Sequence, residues 1–202
     1  KQERFNCRAV SSALMMNMDL DGLVRCVHTG EVTLHAQDEL LSLMQADSQI
    51  SQRLCTTIAA QLPKETLGTV FVTGGTGVLG SAVVADILCH APSLARVMCL
   101  VRADGVERAR QRLLPAICAA MGVESLPAEM AARVVPVCGV LEQDRLGMQE
   151  GAFAELGQLA DCIVHCAAMV NHVLPYTAHR APNVGGTRVV LELAAAGGSN
   201  AA

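Results

Sequence analysis

Gly74, Gly77 and Gly80 stand three residues apart in the stretch Thr69-Val-Phe-Val-Thr-Gly-Gly-Thr-Gly-Val-Leu-Gly80. The chemistry open to such a ladder is phosphate binding through bare backbone. The first glycine permits a tight turn, the second lets the main chain approach a pyrophosphate, and the third lets a helix pack closely on a strand. An apolar, β-branched run, Thr69 to Val72, precedes the ladder. Leu79, Val83, Val84, Ile87 and Leu88 follow it at helical spacing. Strand, glycine turn, helix is the setting in which glycines at this spacing bind a dinucleotide. The helix N-terminus contributes free N–H groups and a partial positive charge. The spacing is G-x-x-G-x-x-G rather than G-x-G-x-x-G, and glycine serves many turns. The two flanks are what make the ladder a nucleotide site.

The next candidate lies at the end of the second strand. There an acidic residue about 20 positions past the glycines would bind the ribose 2′-OH of NAD. This chain has Leu100-Val101-Arg102 instead. A guanidinium matches a 2′-phosphate in a fork geometry. Arg112, in the helix that follows, is placed to join it. The plainer reading makes Arg102 a solvated strand-end residue. The phosphate reading is preferred, so the expected cofactor is NADPH rather than NADH.

Composition narrows the alternatives. With 202 residues the chain suits one domain plus an appendage. A net charge of −4 argues against nucleic acid as a main partner. Three Phe, one Tyr and no Trp leave little for a stacking platform. No apolar run reaches the roughly 18 residues of a membrane span. Nine cysteines are scattered, with Cys99, Cys162 and Cys166 in apolar runs and no C-x-x-C. They read as reduced, buried small hydrophobes in a cytoplasmic protein. Neither they nor the six histidines form a metal pattern. The start, Lys1-Gln-Glu-Arg-Phe-Asn, has no initiator Met and no signal-peptide character, so a piece of a longer protein is expected.

These residues need elements to position them. Residues 1–66 read as a lead-in or linker without visible chemistry. Leu23-Val24 and Val32-Thr-Leu34 flank Thr29-Gly30 and suggest a hairpin; Leu40, Leu41 and Met44 suggest a short helix. Ile50, Leu54, Ile58 and Leu62 recur at helical spacing up to Pro63. From 67 to 202 strands alternate with helices. Strands are expected at 69–73, 97–101, 134–137 and 162–166, and helices at 78–90, 106–121, 150–159 and 183–196. Pro115 should kink or end its helix early, and Pro136 is awkward in a central strand. Gly197-Gly198 should cap the last helix. The alternation implies an α/β fold, a Rossmann-type doubly wound parallel sheet that is incomplete at the C-terminus.

Four stretches together carry a resemblance: TGGTGVLG (73–80), CLVRADG (99–105), ADCIVHCAAMVNHVLPY (160–176) and APNVGGTRVVLELA (181–194). They resemble the extended short-chain dehydrogenase/reductase superfamily. Within it they are similar to the thioester reductase domains that end nonribosomal peptide and polyketide synthetases, shared with carboxylic acid and aminoadipate reductases. The resemblance spans about residues 47–196. It implies that Gly74, Thr76, Gly77, Val78, Leu79 and Gly80 cradle the pyrophosphate, and that Arg102 and Arg112 hold the 2′-phosphate. It places Cys166, Ala167 and Ala168 under the nicotinamide-side ribose. Asn183 would support the active-site architecture, and Val170, Asn171 and His172 would lie toward the substrate channel.

Two departures from the family pattern are visible. The acidic residue of a G-D-L-like turn by the adenine is missing from Cys138-Gly139-Val140-Leu141. The family's catalytic Ser/Thr and Y-x-x-x-K dyad lie beyond the helix at 183–196, where this chain stops; the one tyrosine, Tyr176, is followed four residues later by Arg180 rather than Lys and matches an earlier P-Y of the family. No catalytic residue and no metal ligand is therefore assigned in this chain. The resemblance implies that NADPH reduces an acyl thioester on a carrier protein's phosphopantetheine arm to an aldehyde or alcohol, within a multidomain synthase. A tyrosine would protonate the oxyanion with lysine help. His165 reads as a hydrogen-bonded core histidine and His172 as a wall residue. This chain alone is expected to bind NADPH weakly and to be inactive, with an exposed sheet edge that invites aggregation. The alternatives are a nucleotide-sugar epimerase or dehydratase, and a non-catalytic NADP-binding sensor or scaffold.

Overall fold

The computed structural model describes residues 34–59 and 67–197. Four strands follow one another: β1 (Thr69–Thr73), β2 (Arg96–Val101), β3 (Val134–Cys138) and β4 (Cys162–His165). All pair in parallel, in the spatial order β3-β2-β1-β4. Thr73 pairs with Leu100 on one side and with His165 on the other. The C-terminal ends of β1, β2 and β4 therefore share one end of the sheet. Beside β1 the strand order reverses direction, the switch point at which open α/β sheets bind ligands.

Helices cover both faces. In chain order they are α1 (Leu34–Asp47), α2 (Gln52–Ala59), α3 (Val78–His90), α4 (Val106–Met121), α5 (Ala128–Arg133), α6 (Glu150–Leu159), α7 (Tyr176–His179) and α8 (Gly186–Gly197). A tight left-handed turn spans Asp144–Gly147, and a π-helical turn, Arg180–Gly185, joins α7 to α8. Every residue of β1 is buried, as a parallel strand covered on both faces requires. Val70 and Val72 pack with Val84, Leu88, Leu113 and Ile117 on the α3–α4 side. Phe71 points the other way, among Phe153, Leu156, Val189 and Leu193 of α6 and α8. Each such side chain contributes about 1.5–3 kcal/mol when fully buried.

Two polar clamps set the frame. The Asp161 carboxylate accepts the N–H groups of Gly68 and Thr69, at 2.7 and 2.8 Å, and ties the start of β4 to the start of β1. Arg133 donates to the carbonyls of Leu88, Ala91 and Leu94 and so closes the C-terminal end of α3.

The periodic segments form close to where the sequence places them, but the last helix opens at Gly186 rather than 183 and takes in Gly197, and four further points differ from expectation. Pro115 lies inside α4, which runs on to Met121. The buried face Ala109, Leu113, Ile117 and Cys118 outweighs one missing hydrogen bond. Pro136 is tolerated because β3 is an edge strand among the described residues. Leu34 opens α1 rather than closing a hairpin, in a run of strong helix formers. The rest of that hairpin, the Pro63 stop and Gly198 lie outside the described residues. The short α5 had no periodic signal of its own.

Candidate nucleotide-binding site

β1 ends at Thr73, and the chain turns at Gly74 with φ +76°. A Cβ on Gly74 would lie 2.7 Å from the Ala167 nitrogen, so the glycine turn touches the main chain that leaves β4. The Gly77 N–H donates to the Gly74 carbonyl at 2.9 Å. Gly77 is also the N-cap of α3, and no side chain caps it. A Cβ on Gly80 would run into the Gly74 carbonyl oxygen, so only glycine lets the first turn of α3 sit this close.

The first intrahelical bond of α3 is Ser81 N–H to Gly77 O, at 2.9 Å. The N–H groups of Val78, Leu79 and Gly80 precede it and have no partner within the helix. Thr76, Gly77, Val78 and Leu79 are exposed around this end, Val78 at 93%. Bare donors, a helix N-terminus and a backbone with no room for Cβ atoms make a cradle that fits a pyrophosphate.

Behind the cradle lies a continuous hydrogen-bond chain. Cys166 N–H donates to Thr73 O at 3.2 Å, and Ala167 N–H to the Thr73 hydroxyl at 3.2 Å. Thr73 Oγ1 is 2.6 Å from His165 Nδ1; His165 Nε2 is 3.3 Å from Thr187 Oγ1, which donates to Asn183 O at 2.6 Å. One tautomer satisfies every group. The single Thr187 proton is committed to Asn183, so Nε2–H must donate to Thr187. Nδ1 then accepts from Thr73. Burial lowers the His165 pKa and favours this neutral form. His165 is thus hydrogen-bonded through both ring nitrogens, as expected of it, although it is half-buried rather than in the core.

Asn183 sits in the π-helical turn. Its Oδ1 accepts the Met169 N–H at 2.7 Å, and its Nδ2 donates to the Met169 carbonyl at 3.0 Å. It therefore pins the loop that continues from Cys166, Ala167 and Ala168. Val170, Asn171 and His172 lie exposed on that loop.

Arg102 follows β2. Its Nη2 lies 2.6 Å from Glu142 Oε1, and its carbonyl accepts from Arg112 Nη1. An open cleft of about 520 Å³ is lined by Arg102, Asp104, Arg108, Arg112, Gly139 and Gly147, among others. Arg108, one helical turn ahead of Arg112, was not singled out from the sequence, although i, i+4 spacing was the available signal. The turn after β3 buries Leu146 completely, and it holds Arg145 and Leu146 at positive φ.

Tyr176 points elsewhere. Its hydroxyl donates to Asp47 at 2.9 Å, and Arg180 grips the same carboxylate through Nε and Nη2 at 2.6 and 2.9 Å. Burial pushes the Cys99 thiol up to about 12, which leaves it inert. Among the described residues no group of three or more His, Cys, Asp or Glu could hold a metal ion, and no helix is long and apolar enough to cross a membrane.

A family model described as "Male sterility protein", of the NAD-binding kind, matches residues 72–202. The chain belongs to this NAD-binding family. Similar proteins include the nonribosomal peptide synthetase FrzA of Cladobotryum sp, 38% identical over 77% of this chain. The glycine betaine reductase ATRR of Emericella nidulans is 34% identical over 95% of it. A solved structure, the terminal R domain of the myxalamid polyketide–nonribosomal peptide pathway, aligns with a TM-score of 0.68 at 32% identity over 77% of this chain. The chain spans 15% of each of the two relatives and 39% of that domain. It is related to terminal reductase domains of peptide and polyketide synthetases, and it shares their NAD-binding fold.

Proposed function

We propose that this chain supplies the cofactor-binding half of an NADPH-dependent reductase acting on an acyl thioester held by a carrier protein. The observation that carries this reading is the meeting of three elements at one end of the sheet. They are the glycine cradle after β1, Arg102 after β2, and the Cys166–Ala168 main chain after β4.

In this reading Gly74, Thr76 and Gly77, with the N–H groups of Val78, Leu79 and Gly80, hold the pyrophosphate. Arg102 and Arg112 take the 2′-phosphate, because a guanidinium fork matches it. Cys166, Ala167 and Ala168 run beneath the nicotinamide-side ribose. Asn183 acts as a positioning residue through its two bonds to Met169. The bound cofactor supplies hydride for reduction of the thioester carbonyl, giving aldehyde or alcohol and a free thiol. Residues 1–66 are the lead-in and 67–202 the cofactor domain. The partner is an acyl- or peptidyl-carrier protein with a phosphopantetheine arm, within a cytoplasmic multidomain synthase. Tyr176, the single tyrosine, spends its hydroxyl hydrogen bond on Asp47, and no Tyr-x-x-x-Lys occurs. The chain by itself is therefore expected to bind cofactor without reducing substrate.

Calorimetry with NADPH and NADH on the wild type and Arg102→Ala tests this. The expected result is NADPH binding roughly tenfold or more tighter than NADH, with the difference lost in the variant. Equal affinities in the wild type remove the 2′-phosphate assignment. Binding of neither nucleotide removes the cofactor site.

A further inference from the structure

The turn after β3 carries Val140 where the resemblance expects an acid, and the next carboxylate along the chain is Glu142. Glu142 bonds to Arg102, forming an ion pair at 2.6 Å in which the arginine side chain is 66% exposed and the glutamate 33%. The Arg102 main chain is held separately, by Arg112 at its carbonyl. Its backbone is thus pinned while its guanidinium stays at the mouth of the cleft, already carrying a negative partner.

We propose that Glu142 is a specificity-determining residue that weakens the cleft's preference for a 2′-phosphorylated nucleotide over one with a free 2′-hydroxyl. The inference rests on the cofactor reading above. A 2′-phosphate entering the cleft must share Arg102 with the Glu142 carboxylate or displace it. Sharing sets two anions against each other, and displacement breaks an ion pair. A free 2′-hydroxyl carries no charge and incurs neither cost. The charged residues lining the cleft are Arg102, Asp104, Arg108 and Arg112, and Glu142 reaches it through its bond to Arg102. Arg108 and Arg112 keep the cleft cationic, so Glu142 attenuates the preference without reversing it. The interaction is partly exposed, so its effect is modest and screened by salt.

The test uses the 202-residue chain with 2′,5′-ADP and 5′-AMP as probes, which differ only in the 2′-phosphate, followed by calorimetry. Glu142→Gln is expected to tighten 2′,5′-ADP roughly threefold to tenfold and to leave AMP unchanged. The gain should vanish in an Arg102→Ala background and shrink at high salt. Glu142→Ala, checked for folding by circular dichroism, should change affinity in the same direction. Unchanged or weaker 2′,5′-ADP binding in both variants overturns the proposal, as does an equal gain for both probes. If the wild type prefers 2′,5′-ADP, and Arg102→Ala abolishes that preference while Glu142→Gln is silent, this inference falls alone. If neither the wild type nor Glu142→Gln prefers 2′,5′-ADP over 5′-AMP, both readings fall together.

Discussion

Tyr176 donates its hydroxyl to Asp47 across 129 residues of chain, at 2.9 Å. The Asp47 side chain is 3% exposed, although it ends the lead-in helix α1. Arg180 grips the same carboxylate, and Arg188 donates to the Asp47 carbonyl at 3.2 Å. The lead-in is therefore latched to the segment whose Asn183 holds the loop after β4. Burial first, then the Asp47 bond, raises the Tyr176 pKa, so this phenol is a poor source of protons.

Asp47→Ala should release α1. The measurement is hydrogen exchange, with faster exchange across Leu34–Asp47 and little change in β1 to β4. The Arg180 hydrogen bonds hold the Asp47 pKa below its usual value. A depressed carboxylate contributes its stability in full above the unfolded value, near 4, and loses it as pH falls through the lower folded value. The difference in Tm between wild type and Asp47→Ala should therefore shrink below about pH 4. A difference that stays constant down to pH 2.5 would sink the latch.

Thr73 is wholly buried and serves two partners, His165 and the Ala167 N–H. Thr73→Val keeps the shape and strands both groups. Urea unfolding should show a loss of about 1–3 kcal/mol, and Thr73→Ser should recover most of it. His165 has a depressed folded pKa, so its contribution is complete above the unfolded value near 6.5 and falls as pH drops through the folded value. An NMR titration should find His165 titrating below an ordinary histidine. A midpoint at or above 6.5 would contradict the tautomer assigned to the chain of bonds.

Two glycine substitutions should move stability in opposite directions. Gly80→Ala places a Cβ against the Gly74 carbonyl and the Gly75 nitrogen, both backbone and unable to swing aside. It should cost at least about 3 kcal/mol and abolish nucleotide binding. Gly151 sits in α6 with nothing near its Cβ position. Gly151→Ala should stabilise by about 0.5–1 kcal/mol. Equal effects in a thermal melt would refute the steric account of the cradle.

The strand, glycine turn and helix from Thr69 to His90 were legible because every signal lies within one contiguous stretch. Burial on both faces makes β1 apolar throughout, and close approach demands glycine at Gly74 and Gly80. The parallel alternation was equally local. Pro136 was harder, because an edge strand and a central strand read alike along the chain and only the order β3-β2-β1-β4 separates them. Pro115 misled because the sequence shows the lost bond but not the packing that compensates for it.

The sequence by itself determined the elements and the positions of the glycines and arginines, because periodicity, turn chemistry and residue type act over a few neighbouring residues. Only the tertiary structure decided the partners. Glu142 meets Arg102 across 40 residues, His165 meets Thr73 across 92, and Asp47 meets Tyr176 across 129. A polar side chain carries no local mark of its partner. Its bond is set by which groups the fold brings within reach, and burial makes that bond obligatory at Thr73 and Asp47.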